Sequence, residues 1–295
     1  MKTKYTYLRN RLKAKSALLL FLPFLLAACF NSGKQHVLFA GYDMGGPEKF
    51  NMPSSLLEIS GIAFYKGIPD TIYAIQDEDG KLFRLPWEVS KQQNAKFGKK
   101  GDYEDLAILN EKVIILKSNG TLFSFAFADA IYEDVDSVKE WKDILPKGEY
   151  EGMFGDPSSG DLYVICKKCE EDDPSEKVSG YILSIGETIR VKGNFSIDVE
   201  QIKAITGKVK RGFRPSALAR NPISGDWFIV SGVNKLLIAA DSNWKIKEIF
   251  PLNVNLFNQP EGIAFDKEGN LYISNEGDDI SDGNIIRFKQ QKKKP

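Results

Sequence analysis

The chain has 295 residues, with 40 basic and 40 acidic side chains, one histidine and three cysteines. Balanced charge leaves no electrostatic footprint for nucleic acid, and a single histidine, His36, gives little room for histidine-based acid/base chemistry.

Residues 1–28 carry Lys2, Lys4, Arg9, Arg11, Lys13 and Lys15, no acid, and an apolar stretch from Ala17 to Ala28 broken only by Pro23. A positive segment before an apolar run too short to span a bilayer reads as a secretory signal. It ends Leu26-Ala27-Ala28-Cys29, which resembles the lipobox of bacterial lipoproteins. That resemblance implies cleavage before Cys29 and lipidation of it. The mature protein would then be held on a membrane of the bacterial cell envelope, at the periplasmic face of the outer membrane. Each buried acyl methylene adds about 0.8 kcal/mol to such anchoring. Residues 29–35 read as a tether and 290–295, with Lys292, Lys293 and Lys294, as a solvated basic tail. Without residues 1–28 the acids exceed the bases by six. The span 36–289 reads as one domain, expected to be a monomer.

Val37-Leu38-Phe39-Ala40 reads as a strand, and the Gly/Pro-containing stretch from Tyr42 to Leu57 as a crossing loop. A phrase then begins that recurs along the chain: Ser60-Gly61-Ile62-Ala63-Phe64, Glu104-Asp105-Leu106-Ala107-Ile108, Glu151-Gly152-Met153-Phe154-Gly155, Ser216-Ala217-Leu218-Ala219-Arg220 and Glu261-Gly262-Ile263-Ala264-Phe265. After most of these come an apolar run, a Gly or Asn turn, and a second apolar run, as in Thr71–Ile75, Gly80 and Leu82–Leu85. The phrases are spaced by 44, 47, 65 and 45 residues. A period of about 40–50 residues built from short strands is that of four-stranded propeller blades. The sequence therefore predicts an all-β, five-bladed β-propeller, with six blades as the alternative. The long third blade would hold an insertion with a short helix over Asp198–Ala204. The chain after Glu261 is too short for four strands, so Val37–Ala40 is expected to supply the outer strand of the fifth blade. Asp134–Trp141 fits a helical turn or an edge strand equally.

In a propeller the first strand of each blade lines the central channel, so the phrase heads Ser60, Glu104, Glu151, Ser216 and Glu261 should converge. Three converging carboxylates repel unless a positive charge sits among them. An oxygen-only set suits Ca²⁺, which takes six to eight oxygen ligands at about 2.3–2.6 Å, better than zinc or copper. The competing reading is a wet channel whose polar heads bond only water and backbone. Gln76, Asp77, Asp105, Lys117, Lys167, Asn275 and Glu276 should rim the same mouth, as ligand contacts or as ion pairs contributing about 0–1 kcal/mol each. Cys166 and Cys169, three residues apart in an exported chain, suit a local disulfide.

The runs Leu57–Ala63, Gly101–Ala107 and Pro215–Ala219 resemble those of the SdiA-regulated family of bacterial envelope propellers. That likeness implies the fold and the compartment and brings no activity with it. The order Ser, Glu, Glu, Ser, Glu at the heads is also similar to the calcium-activated nucleotidases, or soluble apyrases, which implies Ser60, Glu104, Glu151, Ser216 and Glu261 as calcium ligands. Two functions follow as expectations. One is an anchored propeller binding an envelope ligand or protein partner; the other is a calcium-dependent hydrolase of phosphoesters or other small anionic substrates.

Overall fold

The structure, a computed structural model, describes residues 37–87 and 92–291. The signal segment, Cys29, the tether, His36 and Lys292–Lys294 lie outside the described residues. Strands β1 (Leu38–Phe39) and β2 (Tyr42–Asp43) form a small hairpin, and β3 (Glu48–Asn51) follows. Blade 1 contains β4 (Ile59–Ala63), β5 (Thr71–Gln76), β6 (Lys81–Pro86) and β7 (Gln93–Lys96). Blade 2 contains β8 (Tyr103–Leu109), β9 (Lys112–Lys117), β10 (Leu122–Ala126) and β11 (Lys139–Trp141). Blade 3 is the longest, with β12 (Gly148–Asp156), β13 (Asp161–Cys169), β14 (Lys177–Ile185) and β15 (Ile189–Asp198), followed by the helix α1 (Val199–Thr206). Blade 4 contains β16 (Ala217–Arg220), β17 (Trp227–Ser231), β18 (Leu236–Ala240) and β19 (Ile246–Pro251). Blade 5 contains β20 (Gln259–Phe265), β21 (Leu271–Glu276), β22 (Asn284–Phe288) and, as its outer strand, β3. The five sheets of four antiparallel strands make a five-bladed β-propeller.

The ring is closed by a strand from the N-terminal side, but not by the expected one. Residues Glu48–Asn51 pair with β22, Asn51 opposite Asn284 and Phe50 opposite Ile285. This corrects the assignment of Val37–Ala40 as the closing strand and of Tyr42–Leu57 as a crossing loop. Outer strands face solvent along one edge, and charge there blocks pairing with other chains. Glu-Lys-Phe-Asn meets that need, whereas Val37–Ala40 is too apolar for it. Its Phe39 instead packs edge-on against Phe228 at 5.7 Å, in the core between blades 4 and 5. Tyr42 in β2 packs on the same ring at 5.8 Å and donates its hydroxyl to the Gly269 carbonyl at 2.6 Å. The ambiguous stretch 134–141 ends in β11, the edge strand of blade 2. Helix α1 starts after Asp198, whose carboxylate caps it by accepting the Glu200 N–H at 2.9 Å, and runs two residues beyond the expected end.

The repeated phrase works as a packing code. Its third residues, Ile62, Leu106, Met153, Leu218 and Ile263, pack back on the preceding blade, while the fourth, Ala63, Ala107, Phe154, Ala219 and Ala264, pack forward on the next. Four of its second residues, Gly61, Gly152, Ala217 and Gly262, are small because inner strands of neighbouring blades nearly touch there, and the fifth is Asp105. A Cβ on Gly61 would lie 2.7 Å from the Asp105 Cα, one on Gly152 2.8 Å from the Ala217 Cα, and one on Gly262 2.4 Å from the Ser60 carbonyl oxygen. The channel therefore has a neck one residue beyond the phrase heads. In blades 3 to 5 the hairpin after the inner strand is locked by Asp156, Asn221 or Asp266 accepting backbone N–H bonds, with Gly160, Gly225 and Gly269 at positive φ. No helix among the described residues is long and apolar enough to cross a membrane.

Candidate functional site

Four inner strands share an irregularity at the phrase head. Tyr103 pairs with Lys117 and Asp105 with Leu116, so Glu104 is an extra residue in β8. Glu151 in β12 and Glu261 in β20 are extra in the same way, and the register of β4 slips between Ile59 and Ile62, around Ser60. A bulge leaves its residue out of the ladder and re-aims the side chain, here toward one end of the channel. The partner strand of blade 3 carries a matching bulge. Glu149 pairs with Lys168 and Tyr150 with Cys166, which leaves Lys167 unpaired in β13.

Lys167 is the positive centre of this end. Its ammonium bonds the Glu151 Oε1 and lies 3.5 Å from the Glu149 Oε1. The other oxygen of Glu151, Oε2, is buried without a hydrogen-bond partner. Burial pushes the Glu104 carboxyl up to about 8, with Asp102 and Glu261 adding repulsion and Lys167 opposing it. Burial also raises Glu261, against the Ser216 hydroxyl, Lys167 and Lys235. The backbone between Ser216 and Glu261 is tight: a Cβ on Gly232 would sit 3.3 Å from both the Ser216 Oγ and the Glu261 Oε1. The structure thus brings Glu104, Glu151, Ser216 and Glu261 into one electrostatic neighbourhood. The Ser60 hydroxyl turns instead to the Glu58 carbonyl at 3.4 Å, and its own carbonyl accepts the Ser274 hydroxyl at 2.6 Å. Among the described residues, no three histidine, cysteine, aspartate or glutamate side chains are grouped so as to hold a metal ion.

The expected rim residues take different roles. Glu276 is pushed up to about 8 by burial and by Glu261, Asp77 and Glu58, and its carboxylate accepts from the Gln259 amide. Asp77 rises to about 6 by burial, with Glu58 next, and its Oδ1 is buried without a partner. Gln76 accepts the Glu78 N–H at 3.0 Å and shapes its own turn. Asn275 is fully buried, donates to Asn284 at 3.2 Å, and keeps an unpartnered Oδ1. The Lys117 ammonium lies over the Tyr103 ring, 5.4 Å from its centre. Asp105 sits at the neck rather than at the mouth. It is 3 % exposed and accepts the Leu106 N–H at 2.8 Å and the Met153 N–H at 2.7 Å, tying blade 2 to blade 3. Burial raises its pKa well above the usual range.

Cys166 and Cys169 are joined by a disulfide whose Cα atoms lie 5.8 Å apart. The bridge spans Lys167 and lies on Gly148, where a Cβ would come within 3.0 Å of both sulfurs, so it staples the bulge that presents the lysine. Sequence reasoning passed over Glu58, Asp102, Lys235 and Gln259, which face the same charges. They precede or follow the phrase heads in places whose direction depends on the bulges, so only the uneven density of acids around Tyr103 and Gln76 hinted at them.

Residues 53–278 match the model of the SdiA-regulated family. No curated protein sequence matches the chain. Among solved structures, a luciferin-regenerating enzyme is 10% identical, covering 83% of this chain and 95% of its own, with a TM-score of 0.51. The PQQ-bound aldose sugar dehydrogenase of Streptomyces coelicolor is 10% identical, covering 83% and 98%, with a TM-score of 0.52. Regucalcin of Agrobacterium tumefaciens, a calcium-binding protein, is 13% identical over 83% and 94%, with a TM-score of 0.50. Likeness at this level shows the propeller fold.

Proposed function

The chain belongs to the SdiA-regulated family, and from that premise we propose that it is an envelope lipoprotein, anchored through Cys29, whose acidic channel mouth holds Ca²⁺ and presents a binding surface to an envelope ligand or protein partner. The observation that carries the calcium is the buried, unpartnered Oε2 of Glu151, whose Lys167 partner also acts on two half-buried glutamates, Glu104 and Glu261. A buried carboxylate oxygen left without a donor is costly, and a hard cation removes that cost.

Apart from the Lys167 and Lys235 ammonium groups, the side chains acting at this end are oxygen donors, which fits Ca²⁺. Lys167 supplies one positive charge against three carboxylates. Calcium binding would exchange that ammonium for a divalent ion, with Glu104, Glu151 and Glu261 as ligands and the Ser216 hydroxyl beside them, and the Ser60 hydroxyl would have to leave the Glu58 carbonyl to complete the set. Anchoring rests on the Leu26-Ala27-Ala28-Cys29 sequence.

The test is calcium titration by calorimetry on chelator-treated protein. The parent should bind one Ca²⁺, Glu151→Gln should lose most of the affinity, and Lys167→Gln should bind more tightly. Equal affinity in the parent and Glu151→Gln would remove calcium from this mouth. Labelling with a radioactive fatty acid in a bacterial host, lost in Cys29→Ser, tests the anchor. Calcium-dependent turnover of nucleotides or generic phosphoesters would convert the binding reading into the hydrolase one.

A further inference from the structure

A large cavity opens at the far end of the channel from the carboxylates. It has a volume of about 910 Å³ and is bounded by the last residues of all five inner strands and by the hairpins that follow them. A volume of this order accommodates a small organic molecule. The neck at Gly61, Asp105, Gly152 and Gly262 stands between it and the acidic mouth, so the two ends of the channel present separate chemistries.

The walls of this funnel are apolar. Ala63, Ile108, Leu109, Phe154, Ala264 and Phe265 line it, and Ile108, Phe154 and Phe265 are half-buried, each packed by one side on the seams between blades. Apart from Arg220 in the wall, charged groups are confined to the hairpin rim. The rim acids Asp156 and Asp266 are 4 % and 1 % exposed and are held by their own turns, Asp156 also by Arg220. Lys66 and Glu111 neutralise one another at 3.0 Å.

Among the three basic and three acidic side chains of the lining, two cations keep donors to spare. Arg220, in the wall, is fixed by three contacts: its Nε donates to the Gly225 carbonyl at 3.0 Å, its Nη1 to Asp156 at 3.2 Å, and its guanidinium lies 5.7 Å from the Trp227 ring centre. Its Nη2 donors have no partner among the described residues. Lys267, exposed on the rim, has no carboxylate within ion-pair distance among the described residues. A guanidinium held rigid with donors to spare is suited to an oxyanion, because little further ordering is needed to bind one.

We propose that this funnel binds a single-chain amphiphilic anion, its hydrocarbon chain against the aromatic and aliphatic walls and its carboxylate or phosphate head on the Arg220 Nη2, with Lys267 on the rim adding positive charge. Apolar burial supplies affinity, and the two cations select the sign of the head group. The site is independent of the calcium reading, because it lies beyond the neck and shares no side chain with the mouth.

The test is calorimetric titration of the purified protein with dodecanoate, alongside dodecyl phosphate, dodecyltrimethylammonium and acetate. Dodecanoate and dodecyl phosphate should saturate one site, and the cationic amphiphile and acetate should bind at least about tenfold more weakly, the worth of one charge-assisted hydrogen bond or more. Lys267→Glu and Ile223→Asp, both on the exposed rim, should weaken dodecanoate by about tenfold while the melting temperature stays put. Arg220→Gln should abolish the preference for an anion over a cation. Glu151→Gln and added calcium should leave dodecanoate binding unchanged. Equal binding of the anionic and cationic amphiphiles, or dodecanoate affinity unmoved by all three variants, would overturn the proposal, as would the lack of saturable binding at millimolar dodecanoate.

Discussion

Replacing Lys167 by methionine tests the electrostatics of the mouth most directly. The lysine side chain is 22% exposed and that of Glu151 6%, so the pair is largely withdrawn from water. Methionine keeps the apolar stem and removes the charge, which strips Glu151 of its ion-pair partner and Glu104 and Glu261 of an opposing charge. Removing one partner of a fully buried pair costs about 3–5 kcal/mol. The partial exposure of Lys167 admits water to the gap, so a loss of about 2–3 kcal/mol is expected here. For a domain of this size that lowers the thermal midpoint by about 4–12 °C. Circular dichroism melts in calcium-free buffer at pH ~9, where Glu104 is ionised, measure it. Added calcium should restore the midpoint of the variant more than that of the parent, since the ion takes the place of the missing ammonium. A Lys167→Met protein that melts with the parent in the absence of calcium would show that the carboxylates do not sense one another, and the reasoning behind the mouth would fail.

Three further outcomes are expected. Asp105→Ala strands the Leu106 and Met153 N–H groups at the neck and should cost about 2–4 kcal/mol in urea melts, whereas Asp105→Asn, which keeps one acceptor, should cost less. Gly61→Ala places a methyl 2.7 Å from the Asp105 Cα, against backbone that cannot move aside, and should destabilise by about 3 kcal/mol or more or prevent folding, read from the yield of soluble protein and its midpoint. Glu104 and Glu276, both raised from 4.5 to about 8, favour their neutral forms in the fold, so their support is whole below 4.5 and is lost as pH climbs through 8. The midpoint in calcium-free buffer should therefore fall between pH ~5 and ~9, and a flat profile would count against their burial.

Much of the architecture could be read from the repeated phrase, because packing between blades dictates residue size at its second, third and fourth positions. Gly61, Gly152 and Gly262 must be small, and Ile62 or Met153 must fill the seam behind them. The closing strand was not legible for a physical reason. An outer strand with one face in water, such as Glu48–Asn51, carries a charge pattern shared with many loops, while the apolar run Val37–Ala40 looks more like a strand than the hairpin plug it forms. At the mouth, the heads were identified by their place in the phrase, but the direction of each side chain depends on a bulge. Register slips of one residue leave no mark in composition. That is why Asp105 appears at the neck instead of the rim, why Ser60 turns to the Glu58 carbonyl, and why Lys167, itself bulged, stands where a metal was expected.

The pairing of β3 with β22 has a consequence for the order in which the molecule is made. Residues 48–51 leave the ribosome more than two hundred residues before their partners at 284–287, so this seam joins segments far apart along the chain. Until that late meeting, blade 5 has a bare edge and an apolar seam open to water, and loop closure over such a separation is slow. A chaperone that shields the early segment, or a truncation that removes it, would therefore decide whether the nascent protein matures or aggregates, well before any ligand is met.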